Sequence, residues 1–323
     1  MKSDLWCRDM VLLYANPASD PSEFWNTEDL KWAVSHCDPD GVPRDRFFDG
    51  FLVTGFGCRG GGRHLLGLKT CDPATVADWD RAIETYLVAV ERLSDACKTV
   101  TTQLGLSDPK ARVIVAIPYP DPRDSAFGPV DGGSLDLSDI DAQFELVRWY
   151  VDTLLAEWKR LEGEGRLQGV RLAGLYWGKE GIWERDIELV GRVADYIHSR
   201  DLLAHWIPCF NGARPEHLEI GLDCLTQQIN YQNPEPRDRP LTIFEDRTRI
   251  ARSLGLHGVE MTPMARSAQL NRRVWSWHQV HLANLEAALR LDWADFPAIT
   301  YFHANDLPFI GADADARIFY DKL

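Results

Sequence analysis

The sequence is short of positive charge. Its 35 lysines and arginines stand against 49 aspartates and glutamates, which gives a formal net charge of −14 at pH 7. Proteins that bind nucleic acid use a basic surface to displace counterions from phosphates. The composition therefore argues against a nucleic-acid partner, and equally against docking on an anionic membrane. No run of about 18 apolar residues is present, so no transmembrane helix is predicted.

The cysteines follow no pairing pattern. The seven are scattered along the chain without a CxxC pair, so they predict neither a disulfide framework nor a zinc site. HxH and HExxH motifs are also missing, and we expect no metal and no cofactor. Free thiols, and a start without an apolar export signal, favour the cytoplasm. The alternative is a secreted protein whose signal has been removed.

What the sequence does contain is a regular alternation of short apolar runs and longer helical patterns. Between most of the runs, apolar residues recur three or four positions apart, which is the period of a helix. Eight runs are predicted to be strands: Val11–Tyr14, Phe47–Thr54, Val113–Ile117, Leu172–Trp177, Leu202–Ile207, Cys224–Tyr231, His257–Met261 and Pro297–Phe302.

Strands that alternate with helices pair in parallel through crossover connections. Eight such units close most economically as a (β/α)8 TIM barrel, an α/β fold, and we predict a single barrel domain over residues 1–323. The alternative is an open, doubly wound sheet. The unit between the fifth and sixth strands is the thinnest, with room for about two helical turns.

Helix ends are marked by capping residues. Asn26 or Thr27 is predicted to cap the first helix, and Asp72, followed by Pro73, the second. Gly163 and Gly255 are predicted to end two later helices.

The barrel prediction turns strand ends into candidate site residues, because barrel enzymes build their sites at the carboxyl ends of strands. The predicted strand ends are rich in aromatic, amide and carboxylate side chains, a mixture that suits a polyhydroxylated ligand. Aromatic rings pack on the C–H faces of sugars, while amides and carboxylates form hydrogen bonds with the hydroxyl groups. Among the tryptophans, Trp183 is also expected near this mouth. The predicted substrate-binding residues are Asp49, Tyr119, Asp121, Tyr176, Trp177, Trp206, Asn211, Gln228, Asn230, Tyr231, Tyr301 and His303.

Two carboxylates are the predicted catalytic residues. Glu180 follows the fourth strand and Glu260 lies at the end of the seventh, positions that many retaining glycosidases with this barrel use. Glycoside hydrolysis needs one carboxyl protonated and one ionised across the scissile bond. We assign Glu180 as acid/base and Glu260 as nucleophile, with Glu184 as a competitor for the acid role.

Each assignment has a structural alternative. A strand-end glutamate could bond a neighbouring arginine or backbone amides. A structural hydrogen bond is as consistent with Asp49 as substrate contact is, and a capped structural role is an equal alternative for His303. Asp121 could simply cap the turn between its flanking prolines.

Several sequence runs, taken together, resemble one family. FDGFL, VIVAIPYPDP, SLDLS, RWYVD, GLYWGKEGI, HWIPCFN and GVEM occur in order between about residues 47 and 262. They resemble the bacterial family catalogued as domain of unknown function 4855, whose members are associated with carbohydrate-degrading organisms. The resemblance implies a glycosidase-like barrel and places Glu180 and Glu260 inside the matching motifs. It brings no settled activity.

The sequence thus predicts a glycoside hydrolase that acts on a carbohydrate through two carboxylates, with retention of configuration. One alternative is a carbohydrate-binding barrel without catalysis. Another is a lyase or aldolase-type barrel enzyme, which would need a lysine or a metal at a strand end. Lys179 is the lysine at this rim, and it is predicted to point to solvent. Exo against endo action stays open.

Overall fold

Eight parallel strands close into a barrel in a computed structural model that describes residues 4–19, 26–58, 61–108, 111–130, 132–209, 212–231, 241–262, 277–302, 307–312 and 317–321. Each strand pairs with the strands before and after it, and the last pairs with the first. The barrel strands are β1 (Asp9–Tyr14), β2 (Gly50–Thr54), β3 (Ala111–Ile117), β4 (Val170–Trp177), β5 (Leu203–Trp206), β6 (Cys224–Gln228), β7 (Gly258–Met261) and β8 (Ala298–Tyr301).

Helices cover the outside of the barrel. They are α1 (Thr27–Val34), α2 (Val76–Leu104), α3 (Ile140–Gly163), α4 (Ile187–Ser199), α5 (Thr242–Leu254), α6 (Trp277–Arg290), α7 (Leu307–Ala312) and α8 (Arg317–Tyr320). In the described part of the β5–β6 connection, the helical structure is a short 3₁₀ turn, Pro215–Leu218, as the thin predicted unit suggested. Of the described helices, none has the length and apolar character to cross a bilayer.

Three two-stranded ribbons stand outside the barrel. They pair Ser35–Cys37 with Pro43–Arg46, Arg63–His64 with Asp72–Pro73, and Phe127–Val130 with Gly133–Leu135.

The predicted barrel is confirmed, and each of the eight predicted runs overlaps a barrel strand. The predicted start of α2 is wrong. Thr75, and not Asp72, caps this helix, because its side chain accepts from the Asp78 backbone N–H while the Asp78 carboxylate accepts from the Thr75 N–H at 2.8 Å. This reciprocal capping box satisfies two backbone donors at once. Asn26 caps α1 as predicted.

The register of the strands determines which side chains enter the barrel, since successive residues point to opposite faces. The Thr226 and Thr300 hydroxyls lie 3.0 Å apart although β6 and β8 are not neighbours, so both face the interior. Glu260 pairs with Thr300 on one side and with Gln228 on the other. Gln228 and Glu260 therefore also point inward, each near the carboxyl end of its strand.

Candidate active site

The Glu260 side chain is buried at the mouth of the barrel and only 3% exposed. Its register partner Gln228 donates from Nε2 to Oε1 of Glu180 at 3.0 Å. Asn230 donates from Nδ2 to the Gln228 Oε1 at 2.6 Å, which orients that amide. We name Glu180, Gln228, Asn230 and Glu260 the inner cluster. The Gln228 amide thus joins Glu180 to Asn230, and Glu260 lies beside Gln228 on the adjacent strand.

The backbone at Glu180 is held by the end of β5. Cys209 donates its backbone N–H to the Glu180 carbonyl at 3.2 Å, and the Trp206 indole donates to the Lys179 carbonyl at 3.0 Å. The Gln228 N–H in turn donates to the Pro208 carbonyl at 3.1 Å. These bonds extend the barrel's ladder past the strand ends, so the loop carrying Glu180 has a fixed position.

Burial raises the pKa of both carboxyl groups. The pKa of Glu260 is raised well above its ordinary value, first by burial and then by the charge of Glu180. Burial also raises the pKa of Glu180, but hydrogen bonds from Gln228 and from the Cys209 thiol oppose the shift. A proton shared by the pair is therefore favoured on Glu260, while Glu180 is better prepared to be ionised.

Two tyrosines face the same pair. Tyr176 on β4 and Tyr14 on β1 have pKa values well above the ordinary one, because their hydroxyl groups are shielded from water and lie near the Glu180 and Glu260 charges. Their phenols stay protonated. Tyr176 was a predicted site residue and Tyr14 was not, although Tyr14 ends the first predicted strand and the strand-end rule applies to it equally.

The opposite side of the mouth is aromatic. The Tyr14 ring meets Phe56 at 5.3 Å and Phe302 at 5.6 Å between centroids, both nearly edge-on. All three are half-buried. Phe56 and Phe302 lie two residues after Thr54 and Thr300, so they share the inward face. We name Tyr14, Phe56 and Phe302 the aromatic wall.

A second polar cluster lies outside the barrel interior, on the other face of β4. The Tyr119 hydroxyl donates to Asp186 at 2.8 Å, and the Lys179 Nζ sits 3.3 Å from the centre of the Tyr119 ring and 3.8 Å from Asp186. We name Tyr119, Lys179 and Asp186 the outer cluster. The prediction that Lys179 points to solvent is wrong, because its side chain is only 12% exposed. Burial lowers the pKa of Lys179 to about 8.

Two predicted substrate contacts lie elsewhere. Asp49 precedes β2 at the amino end of the barrel, where its carboxylate accepts from the Asp9 N–H at 3.1 Å and lies 3.7 Å from Arg112. Tyr301 points outward and donates to the Asp9 carboxylate at 3.0 Å. For Asp49, the structural alternative fits this position, since backbone amides at the barrel floor satisfy the carboxylate.

Four more predicted contacts pack into structure beside the mouth. Asp121 is bound by the Arg123 guanidinium at 2.5 Å. The others make ring contacts in the core: Trp177 with Tyr119 at 6.0 Å, Trp206 with His217 at 5.0 Å, and Tyr231 with Phe244 at 4.9 Å.

The remaining predicted residues divide into two groups. Asn211 and His303 lie outside the described residues. Glu184 is exposed on the 3₁₀ turn Glu184–Asp186. Glu180, with which Glu184 was predicted to compete for the acid role, belongs to the inner cluster instead. Within the described ranges, no group of three or more histidine, cysteine, aspartate or glutamate side chains is arranged to hold a metal ion.

The fold and the mouth define a closed (β/α)8 barrel with a carboxylate pair at the carboxyl ends of its strands. The chain belongs to the family described as Domain of unknown function (DUF4855), whose model matches residues 9–287. No curated protein matches the chain.

Solved structures of similar overall form serve several functions. A GH18 chitinase from Pseudoalteromonas aurantia aligns with a TM-score of 0.45 at 11% identity, covering 97% of this chain and 99% of its own. The spore cortex-lytic enzyme SleL of Bacillus cereus gives 0.47 at 10%, with 98% and 75% covered. Dihydropteroate synthase from Xanthomonas albilineans gives 0.42 at 13%, with 96% and 89% covered. At these scores the likenesses carry no argument about activity.

Proposed function

We propose that the protein is a glycoside hydrolase in which Glu180 and Glu260 form the catalytic carboxyl pair. The observation that carries the proposal is the inner cluster itself. Glu180 accepts a hydrogen bond from the amide of Gln228, the register partner of Glu260, and both carboxyl groups have a raised pKa. Glycosidases need such a pair, with one member protonated and the other ionised at the working pH.

The roles that we propose for the two carboxyl groups are the reverse of those predicted from strand position, which were Glu180 as acid/base and Glu260 as nucleophile. Glu260 is the more buried carboxyl and is repelled by Glu180, so it favours the proton. Glu180 accepts hydrogen bonds from Gln228 and Cys209, which favour its ionised form. We propose Glu260 as the proton donor in the resting site and Glu180 as the ionised partner, with retention of configuration when the two act on one bond.

The outer rim gives the lyase alternative little support. A Schiff-base lysine must reach the substrate as a free amine. Lys179 has the lowered pKa, but its Nζ lies over the Tyr119 ring beside Asp186, on the face of β4 that turns away from the interior. One observation favours a different alternative: the low exposure of Glu260 suits a carbohydrate-binding barrel whose buried carboxyl never meets a glycosidic bond.

The test is a hydrolysis screen of the purified protein on a panel of glycans, with the product anomer followed by proton NMR. On a glycan that is cleaved, Glu180→Gln and Glu260→Gln should each lower kcat/KM by at least ~10², because each removes a group needed for proton transfer or attack. Glu184→Gln, on the exposed turn, is the matched control and should retain activity.

Full activity of either inner variant would remove that residue from the mechanism. Binding of a glycan without cleavage of any member of the panel would support the carbohydrate-binding alternative.

A further inference from the structure

Aromatic side chains are found at the carboxyl ends of strands on opposite sides of the barrel. The aromatic wall follows β8, β1 and β2, while Trp183 follows β4, which stands across an eight-stranded barrel from β8. Trp183 is 57% exposed, an unusual state for so large an apolar ring. Glu180 precedes Trp183 in the loop after β4, and Glu260 lies on β7, the neighbour of β8.

From this arrangement we infer that the mouth binds a linear, neutral oligosaccharide with sugar units stacked on both sides of the carboxyl pair, so that an internal bond is presented for cleavage. The cleavage step of this inference rests on the proposed function. The binding of the oligosaccharide does not, because it is inferred from the positions of Trp183 and the aromatic wall.

The aromatic wall has the shape of a stacking surface. Its rings meet edge-on, at interplanar angles of 73° and 81°, so they hold one another in place while each stays partly exposed. The C–H face of a sugar packs on such rings with a small loss of side-chain freedom, since an aromatic side chain has only two rotatable bonds. Phe56 is further supported by His64, stacked at 5.9 Å.

The outer cluster holds the backbone of Trp183. Its backbone N–H donates to the Asp186 carboxylate at 3.1 Å, and Asp186 is itself bound by Tyr119 and Lys179. An exposed ring on an anchored backbone is a preorganised contact, which reduces the entropy lost when a ligand binds. In this inference, the outer cluster serves to hold the backbone of Trp183 in place.

The charges of the pair favour a neutral ligand. Among the described residues, the groups that lie beside Glu180 and Glu260 include the Gln228 amide, the Cys209 thiol and the other carboxyl of the pair, and none of these is a cation. An anionic sugar beside them would be repelled in a site of low dielectric. Amides and protonated phenols instead suit hydroxyl groups.

The experiment uses the Glu260→Gln protein, in which cleavage should be suppressed, and isothermal titration with neutral cello-, chito-, xylo- and manno-oligosaccharides of two to six units. For the series that binds, the Kd is expected to fall as the chain lengthens. Adding Trp183→Ala or Phe56→Ala should each weaken binding of the longest member by about tenfold, the size expected for losing one stacked ring. Leu289→Ala, which shortens an 82% exposed apolar side chain on α6, is the control and should leave the Kd unchanged.

A Kd that is independent of length, or insensitive to both ring substitutions, would overturn the binding inference. The cleavage position is read separately, with the natural protein and an end-labelled hexamer. Internal products support the inference, and release of terminal units alone overturns it while leaving the proposed hydrolase intact. Length-dependent binding that needs both rings, without cleavage of any glycan, would refute the hydrolase and keep the two-sided binding site.

Discussion

Lys179 and Glu180 are neighbours in the chain, yet they belong to two different kinds of polar cluster. Lys179 turns away from the barrel and joins Tyr119 and Asp186, where cation, phenol and carboxylate satisfy one another. Glu180 turns into the barrel, where it accepts from the Gln228 amide and lies close enough to Glu260 for the two charges to interact. The outer cluster contains opposite charges, and the inner cluster contains like charges.

The difference indicates what each cluster is for. Opposite charges that are buried and hydrogen-bonded hold a loop in one conformation. Two buried carboxyls with a raised pKa cost folding free energy, a cost that functional sites commonly carry. Substitutions should therefore act in opposite directions: those in the outer cluster should destabilise the protein, and those in the inner cluster should stabilise it while abolishing chemistry.

The largest effect on stability is expected from Asp186→Asn. The change leaves the Lys179 cation without its carboxylate, and removing one partner of a buried ion pair costs about 3 kcal/mol or more. Urea unfolding at pH 7 measures the loss. Lys179→Met in the same protein should recover most of it, because the unpaired cation is then absent. If Asp186→Asn were as stable as the natural protein, the outer cluster would not be a structural one.

A smaller effect of opposite sign is expected from Glu260→Gln. A carboxyl whose pKa is raised by folding contributes stability that is complete below the unfolded-state pKa of about 4.3 and is lost as pH rises through the folded-state pKa. The variant cannot titrate at this position. It should therefore lose less stability than the natural protein between about pH 4.5 and about pH 7. At pH 7 it should be more stable by roughly 1 kcal/mol.

Glu180→Gln serves as the comparison in the same titration. Because hydrogen bonds from Gln228 and Cys209 oppose its pKa shift, this variant should flatten the pH dependence of stability less than Glu260→Gln does. The reverse order would place the shared proton on Glu180 and restore the role assignment that strand position suggests.

The fold could be predicted because a barrel repeats one simple pattern. Runs such as Val113–Ile117 are dense in β-branched residues and the intervening segments have helical spacing, so each unit is recognisable by itself. The residues that cap the helices were harder to predict. Asp72 before Pro73 has the composition of a helix start, but the capping box of Thr75 with Asp78 begins three residues further on. Composition does not reveal which of two nearby caps completes both hydrogen bonds.

The site could be predicted only to within one residue along each strand. The strand-end rule selects Tyr301 and Phe302 together, but Tyr301 points outward to Asp9 and Phe302 points into the mouth. The same parity separates Trp177 from Tyr176. Inward or outward orientation depends on the register between strands, which follows from pairing that is distant in sequence. The pattern of charges does not reveal this orientation either. Lys179 and Glu180 are adjacent charged residues, yet one points outward and the other inward.

The smallest predicted effect concerns Asn230, which separates backbone from side-chain contributions in the inner cluster. Its φ of +54° lies in the left-handed region, which glycine adopts freely and alanine at a cost of about 1 kcal/mol. Asn230→Gly should keep the backbone and remove the bond to Gln228, lowering kcat/KM about threefold to tenfold, since a net hydrogen bond is worth roughly 1 kcal/mol. Asn230→Ala should show the same loss of activity and a further loss of stability, measured by urea unfolding. Equal activity of the glycine variant and the natural protein would mean that Gln228 holds its orientation without Asn230, and the inner cluster would then reduce to Glu180, Gln228 and Glu260.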